Sequence, residues 1–283
     1  MKRLIIQKSI TAITVLMLIC MQINVSKNIA VSTSSDLVKL PILMYHGFTE
    51  NGAGSDYVIK TEEFEEDIIY LINNGYEFVN TKDLIDYCRK GILLPEKCVM
   101  ITFDDGYLNN YTYAYPIIMK YGVKVVLSPI GYWSDYQTVH PDSNPAYANL
   151  TWEQIKEMSD SGLVEIQNHS YNMHSLSDGR MGSDRAEGES PDEYRRLFFE
   201  DMKNAHYAIE NATGTEPVAY AYPFGSIGDE SKSLLKCFGY MVTFSCCEGY
   251  NYISGDDDCL YGLKRFNRSA DRSAQSILGS ADN

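Results

Sequence analysis

The sequence predicts an α/β protein whose strands form a parallel sheet, closed as a β/α barrel or open and doubly wound. Two features predict it. Short runs rich in β-branched and aromatic residues alternate with amphipathic stretches of helical period, the mark of repeated strand, helix, strand units. Polar motifs directly follow three of these runs, at what would be the carboxyl ends of strands, the face on which parallel α/β folds build their sites. At 283 residues the chain suits one large domain.

Met1, Lys2, Arg3 and Lys8 give a basic start to the uncharged apolar run Ile10 to Ile23, ITAITVLMLICMQI. The run is shorter than the roughly 20 residues a membrane helix needs. Residues 1–32 therefore read as an export signal cleaved after Ser32, or as an uncleaved N-terminal anchor, and residues 33–40 as a linker to a domain over 41–283. Pro41 to Phe48 (PILMYHGF) is the first predicted strand. Thr61 is expected to cap a helix with Phe64, Ile68, Leu71 and Ile72 on its apolar face and Gly75 as its stop. The strand YEFVN follows, and Thr81 is expected to cap a second helix to Lys90, ended by Gly91.

KCVMITF (Lys97 to Phe103) is the next strand, followed by a helix near Asn110 to Tyr121, Gly122 and the strand VKVVLS. Thr151 and Gln154 form a capping box for WEQIKEMSD, after which Gly162 leads into the strand LVEIQ. Ser190, Pro191 and Glu193 start the longest helix, which runs to about Thr213. The strand VAYAY, the helix DESKSLLKC, Gly239 and the strand YMVTFS complete the pattern. No GxGxxG or Walker-type loop follows any strand, which argues against nucleotide binding.

A net charge of −14 excludes nucleic acid as a partner, and it leaves membrane contact only to an uncleaved N-terminal segment. A neutral or cationic polymer suits it better. Setting aside Cys20 in the apolar run, six cysteines remain, and an exported chain permits disulfides among them. Six allow 15 pairings, so the sequence assigns none. His140 and His206 read as surface residues.

The run ITFDDG ends a strand with two adjacent carboxylates, Asp104 and Asp105. Like charges side by side need solvent or a cation. NHSYNMH places His169 and His174 after another strand; on a helix this spacing would not share a face, so both can bind one ion only from an irregular turn. Two imidazoles and one carboxylate make a set suited to zinc or another divalent first-row metal.

TFDDG, then His-Ser and a second His, then Tyr222-Pro223-Phe224-Gly225, in that order, resemble the polysaccharide deacetylases of carbohydrate esterase family four, the NodB-homology domain. The resemblance spans roughly Pro41 to Arg268 and implies a single distorted β/α barrel with a parallel sheet. It makes Asp105, His169 and His174 the metal ligands, with zinc first and cobalt, nickel, manganese or iron as alternatives, and Asp104 the general base. HSYNMH is one residue longer than the commonest HSxxH spacing and resembles the branch containing poly-N-acetylglucosamine deacetylases. The family's late histidine, the general acid, is missing; in that branch it is displaced toward the N-terminus, where LMYHGF offers His46.

By the same resemblance the Phe224 backbone N–H donates to the oxyanion, and Tyr107, Tyr222, Pro223 and Arg265 line the substrate pocket. Tyr220 or Ala221 stands where the family often has an arginine; Arg265 in LKRF either substitutes beside Asp104 or pairs with a surface carboxylate. Trp133, Trp152 and Tyr132 could add glycan contacts from the rim. The implied function is an exported, metal-dependent, monomeric deacetylase of N-acetylglucosamine-type polysaccharide. An O-acetyl esterase on a polymer such as xylan, a silent glycan-binding protein and an open α/β solute-binding protein are the competing readings.

Overall fold

The longest buried run, CVMITFDD, sets the architecture, because a strand with no exposed residue must be flanked and covered on both sides. In the computed structural model, which describes residues 37–279 apart from 178 and 229, it is the central strand of a parallel sheet. The segment 1–32 expected to direct export lies outside the described residues. In chain order the first elements are β1 (Val38–Leu40), β2 (Ile42–Tyr45), β3 (Gly47–Thr49), β4 (Val58–Lys60), α1 (Thr61–Asn73), β5 (Glu77–Phe78), α2 (Thr81–Lys90) and β6 (Cys98–Asp105). A π turn at Asn110–Ala114 runs into α3 (Tyr115–Tyr121), followed by β7 (Val125–Pro129), α4 (Gly131–Val139), α5 (Trp152–Asp160), β8 (Val164–Ile166) and α6 (Pro191–Thr213). Then come β9 (Ala219–Ala221), a 3-10 turn at Pro223–Gly225, α7 (Ser231–Phe238), β10 (Val242–Phe244), β11 (Asn251–Ile253), a 3-10 turn at Asp257–Leu260, β12 (Phe266–Asn267) and α8 (Ala274–Gly279).

The sheet runs β12-β2-β6-β7-β8 with every pair parallel, and β9 pairs β10 in parallel beside it. Two narrow bridges join these pieces. Asn168, just past β8, bonds to Ala219 and Ala221 of β9, at 3.1 and 2.9 Å. Leu263, just before β12, bonds to Thr243 and Ser245 at β10, both at 2.8 Å. The strands therefore form a ring, a distorted β/α barrel, closed at each seam by little more than one residue's hydrogen bonds.

Alternation along the strands divides the core in two. Ile42, Met100, Val126, Ala219, Val242 and Phe244 fill the barrel. Leu43, Val99, Ile101, Phe103 and Leu127 face outward against α1, α3 and α5. Each fully buried Leu or Ile contributes about 1.5–3 kcal/mol.

Several expected boundaries shift for identifiable reasons. Val38–Leu40, read as linker, is a strand that pairs antiparallel with β11, so the fold begins before residue 41. Lys60, not Thr61, occupies the cap of α1; Glu63 accepts the Lys60 N–H at 3.1 Å while the Thr61 hydroxyl donates to the Thr49 carbonyl at 3.3 Å. Asn80, not Thr81, caps α2 by accepting from Asp83 N–H at 3.1 Å, and the Thr81 hydroxyl turns to Glu165. Ile72 is exposed; Asp67 shares the buried stripe of α1 with Phe64, Ile68 and Leu71. His206 is buried rather than on the surface, its Nδ1 3.3 Å from the Tyr240 hydroxyl. The Thr151 and Ser190 capping boxes, and Gly91, Gly122, Gly214 and Gly239 as left-handed C-caps, stand as their residue types dictate.

The C-terminal end is pinned to α1 by a buried pair. Asp67 accepts from Arg268 Nε at 2.6 Å, the Ala274 N–H at 2.7 Å and the Tyr45 hydroxyl at 3.1 Å. Arg268→Ala leaves this carboxylate uncompensated and should lower stability by about 3–5 kcal/mol. The midpoint of urea unfolding reads the change; a midpoint equal to wild type contradicts it.

Candidate active site

The barrel interior turns polar at the carboxyl end of β6. Following Met100 on the inward face come Thr102 and then Asp104, and Arg265 enters from the ring-closing segment to meet both. Its guanidinium grips Asp104 with two bonds, Nη1 to Oδ1 at 2.8 Å and Nη2 to Oδ2 at 2.7 Å. Nε donates to the Ser245 carbonyl at 2.9 Å, and Nη1 also reaches the Thr102 hydroxyl at 3.2 Å. The side chains are 0% and 2% exposed, so this is a fully desolvated, two-pronged ion pair. Burial alone would raise the Asp104 carboxyl, but the Arg265 guanidinium together with His169 and His46 outweighs it and holds Asp104 well below the usual carboxylate range.

Strict alternation would send Asp105 outward with Phe103. Instead its φ is 69°, a left-handed conformation unusual for a residue other than glycine, and this turns the second carboxylate toward the same mouth. Gly106 follows with φ 73°, and a Cβ there would stand 2.7 Å from the Pro129 Cβ. Asp105 Oδ1 lies 3.5 Å from His169 Nε2 and 3.3 Å from His174 Nε2.

His169 Nδ1 donates to the Ala221 carbonyl at 2.8 Å, which fixes the tautomer and presents the Nε2 lone pair to the site. Burial, assisted by His169, brings His174 down to about 4. For His169 burial also lowers proton affinity, yet the charges of Asp104 and Asp105 outweigh it and raise the group. The same excess of carboxylate charge draws a divalent cation.

The residues fit such an ion. Asp105, His169 and His174 offer one oxygen and two nitrogens within 4.8 Å of one another. Ligands about 2.1 Å from a shared tetrahedral centre lie roughly 3.4 Å apart, which the two measured separations bracket. Asp105 Oδ1 is buried and has no hydrogen-bond partner.

The loop carrying His174 is held from beneath. Ser170 adopts φ 70°, with its N–H bonded to Asn168 Oδ1 at 2.8 Å. Asp201 on α6 then accepts the N–H groups of Tyr171 and Asn172 at 2.8 and 2.7 Å, one on each carboxylate oxygen. Asn168 is itself anchored by the Met202 carbonyl and the Tyr240 hydroxyl, at 3.0 and 2.6 Å. Sequence reasoning missed Asp201; its one signal was an acidic residue on the apolar stripe of a helix, between Phe198 and Ala205.

His46 flanks the carboxylates at the end of β2, with Nδ1 buried and unbonded; burial lowers its pKa against the pull of Asp104 and Asp105. Burial, with the charge of Asp105 nearby, pushes the Tyr107 hydroxyl up to about 12. Phe224 has φ 56° and packs its ring 4.3 Å from that of His174. Its N–H belongs to the first turn of a 3-10 helix, where backbone donors have no partner within the helix.

Three residues expected to line the substrate pocket do otherwise. Tyr222, 1% exposed, accepts a bond from the Ser231 hydroxyl, and Pro223 is buried beside it. Arg265 is sealed behind Asp104, in the orienting position of the absent family arginine rather than on substrate or a surface carboxylate. Trp152 donates to Asp135 at 2.6 Å and serves as a staple, whereas Tyr132 and Trp133 stay exposed on α4.

Residues 93–243 match the model of the polysaccharide deacetylase family. The poly-beta-1,6-N-acetyl-D-glucosamine N-deacetylase of Escherichia coli strain K12 is 27% identical over 259 residues, a match covering 83% of this chain but only 38% of the relative. A de-N-acetylase from Aggregatibacter actinomycetemcomitans superposes with a TM-score of 0.74 at 26% identity, over 85% of this chain and 99% of that one. IcaB from Ammonifex degensii gives a TM-score of 0.70 at 26% identity, over 88% and 99% of the two chains.

Removing the carboxylate beneath the histidine loop should loosen the ligand set without touching it. Asp201→Ala is expected to weaken divalent-metal binding by roughly 10–100-fold, the usual effect of losing a group that orients ligands. Metal titration of the chelator-treated protein measures it, and unchanged affinity contradicts the assigned support.

Proposed function

Because the chain belongs to the polysaccharide deacetylase family, we propose that it is a zinc-dependent hydrolase that removes N-acetyl groups from an N-acetylglucosamine-containing polysaccharide. The observation that carries this reading is the pairing, in one barrel mouth, of an Asp105, His169, His174 donor set with a separate carboxylate fixed by Arg265. Amide hydrolysis needs a proton acceptor for water, a donor for the oxyanion and an acid for the departing amine.

Asp105, His169 and His174 hold the ion. When bound it supplies Lewis acidity that brings the pKa of water toward about 7, which a carboxylate held as low as Asp104 requires if it is to accept a proton. Asp104 stays ionised across the neutral range, and the guanidinium fixes both its oxygens, so the acceptor is oriented before substrate arrives. The Phe224 N–H donates to the developing oxyanion. His46 delivers a proton to the amine; its lowered pKa leaves it neutral at rest, so the proton it gives is one it gains during turnover. The Tyr107 hydroxyl stands near Asp105 at the same rim.

Action as a monomer and export belong to the same proposal, export being supported by the basic start and apolar run of residues 1–32. No helix among the described residues is long and apolar enough to cross a membrane. The acidic surface, with a net charge of −14, does not repel a neutral substrate or its cationic product.

Acetate release decides the matter. The zinc-loaded protein should release acetate from N-acetylglucosamine oligosaccharides, lose that activity on chelation and regain it with zinc. Release only from O-acetylated xylan oligosaccharides would overturn the substrate class. Asp104→Asn should lower kcat by about 10²–10⁴-fold, the usual contribution of general base catalysis, with zinc still bound. A kcat close to wild type removes Asp104 from the role.

A further inference from the structure

The six cysteines of the described residues are all thiols. Cys98 is buried within β6, Cys237 and Cys247 are exposed, and Cys246 lies beside Arg265. The other two come from opposite ends of the chain and meet. Cys88, in the last turn of α2, donates to the Ser254 carbonyl at 3.3 Å; Cys259, in the 3-10 turn Asp257–Leu260, reaches the same carbonyl at 3.7 Å. The two sulfurs thus converge on one carbonyl oxygen. Their backbones are fixed on both sides. Arg89 Nε pairs with Asp257 at 2.7 Å, and Asp256 caps the turn by accepting from the Asp258 N–H at 2.9 Å.

We propose that Cys88 and Cys259 form a disulfide that ties α2 to the segment after β11. Both residues are half-buried, so a small disulfide oxidant can reach them, unlike Cys98. The pair is also electronically prepared. The neighbouring Cys88 thiol holds Cys259 below its ordinary value against burial, while Cys88 is raised. At neutral pH the Cys259 thiolate attacks one sulfur of a low-molecular-weight disulfide, forming a mixed disulfide and releasing one thiolate, which takes up a proton. Cys88 then loses its proton and attacks the Cys259 sulfur, expelling the second thiol. The protein gives up two electrons and two protons, and the oxidant becomes two thiols.

The placement has a use. β11 pairs with β1, and Asn251 bonds to the Leu40 carbonyl at 3.2 Å and the Lys264 carbonyl at 2.9 Å. Lys264 precedes the arginine that neutralises Asp104. A covalent bond from Cys88 to Cys259 thus clamps the ring-closing segment to the first half of the barrel. It also restricts the unfolded chain over a very long loop, the case in which cross-linking removes most chain entropy.

The test is to incubate the purified full chain, first reduced, with glutathione disulfide, and to map its peptides without reduction. The expected result is a peptide pair joined through Cys88 and Cys259 that dithiothreitol separates. The oxidised protein should melt about 5–10 °C above the reduced one, a gain absent in Cys88→Ser and Cys259→Ser. Free thiols at both positions, glutathione adducts alone, or either cysteine joined to a different partner would overturn the proposal. If either variant fails to fold, the wild-type peptide map decides alone.

Discussion

Two adjacent carboxylates buried at the mouth of an apolar barrel cannot both remain ionised without compensating positive charge. The structure meets this constraint with two unlike solutions. Arg265, delivered from the far end of the chain, neutralises Asp104 through a planar fork that uses both oxygens. Among the described residues Asp105 receives no arginine or lysine; it faces two imidazoles and keeps one oxygen without a bond. The asymmetry leaves one carboxylate fixed by an arginine and the other open toward two imidazoles. It depends on one backbone angle, the left-handed φ of Asp105, which brings consecutive side chains of a strand to the same space.

Much of this was legible because its signals are local. The TFDDG run, the histidine pair and the YPFG turn are short, contiguous and placed at strand ends, so their convergence followed from the topology of parallel sheets. The capping boxes at Thr151 and Ser190 were likewise readable, since each is written within four residues. What escaped depends on distant partners. Thr61 and Thr81 look like caps, but their hydroxyls are claimed by Thr49 and Glu165, and the cap moves back one residue. His206 looks like one more polar residue on a helix until Tyr240 meets it. Asp201 supports a loop thirty residues earlier, and no periodicity records such a bond. Tyr222 and Pro223 followed a motif correctly to the right turn; only the packing shows that the turn presents Phe224 outward and buries the other two.

The spacing of the histidines illustrates how an insertion is accommodated. His174 lies five positions after His169, a spacing that does not share one face of a helix, and the chain uses no helix there. A left-handed Ser170 reverses the direction, and the Asp201 carboxylate collects the next two N–H groups as a helix N-cap would. The loop gains order from a neighbouring helix rather than from its own hydrogen bonds. The extra residue relative to HSxxH is thereby absorbed with both imidazoles still facing one carboxylate oxygen.

The barrel's last seam, at Leu263, lies two residues from Arg265, so the stretch that completes the architecture also balances the charge of its interior. During synthesis this stretch leaves the ribosome only after β2 to β10. Until it docks, the nascent protein holds Asp104 without its counter-charge. Charge balance in the interior is thus timed to closure of the ring, and fragments cut short before residue 265 retain the histidines while Asp104 lacks its partner.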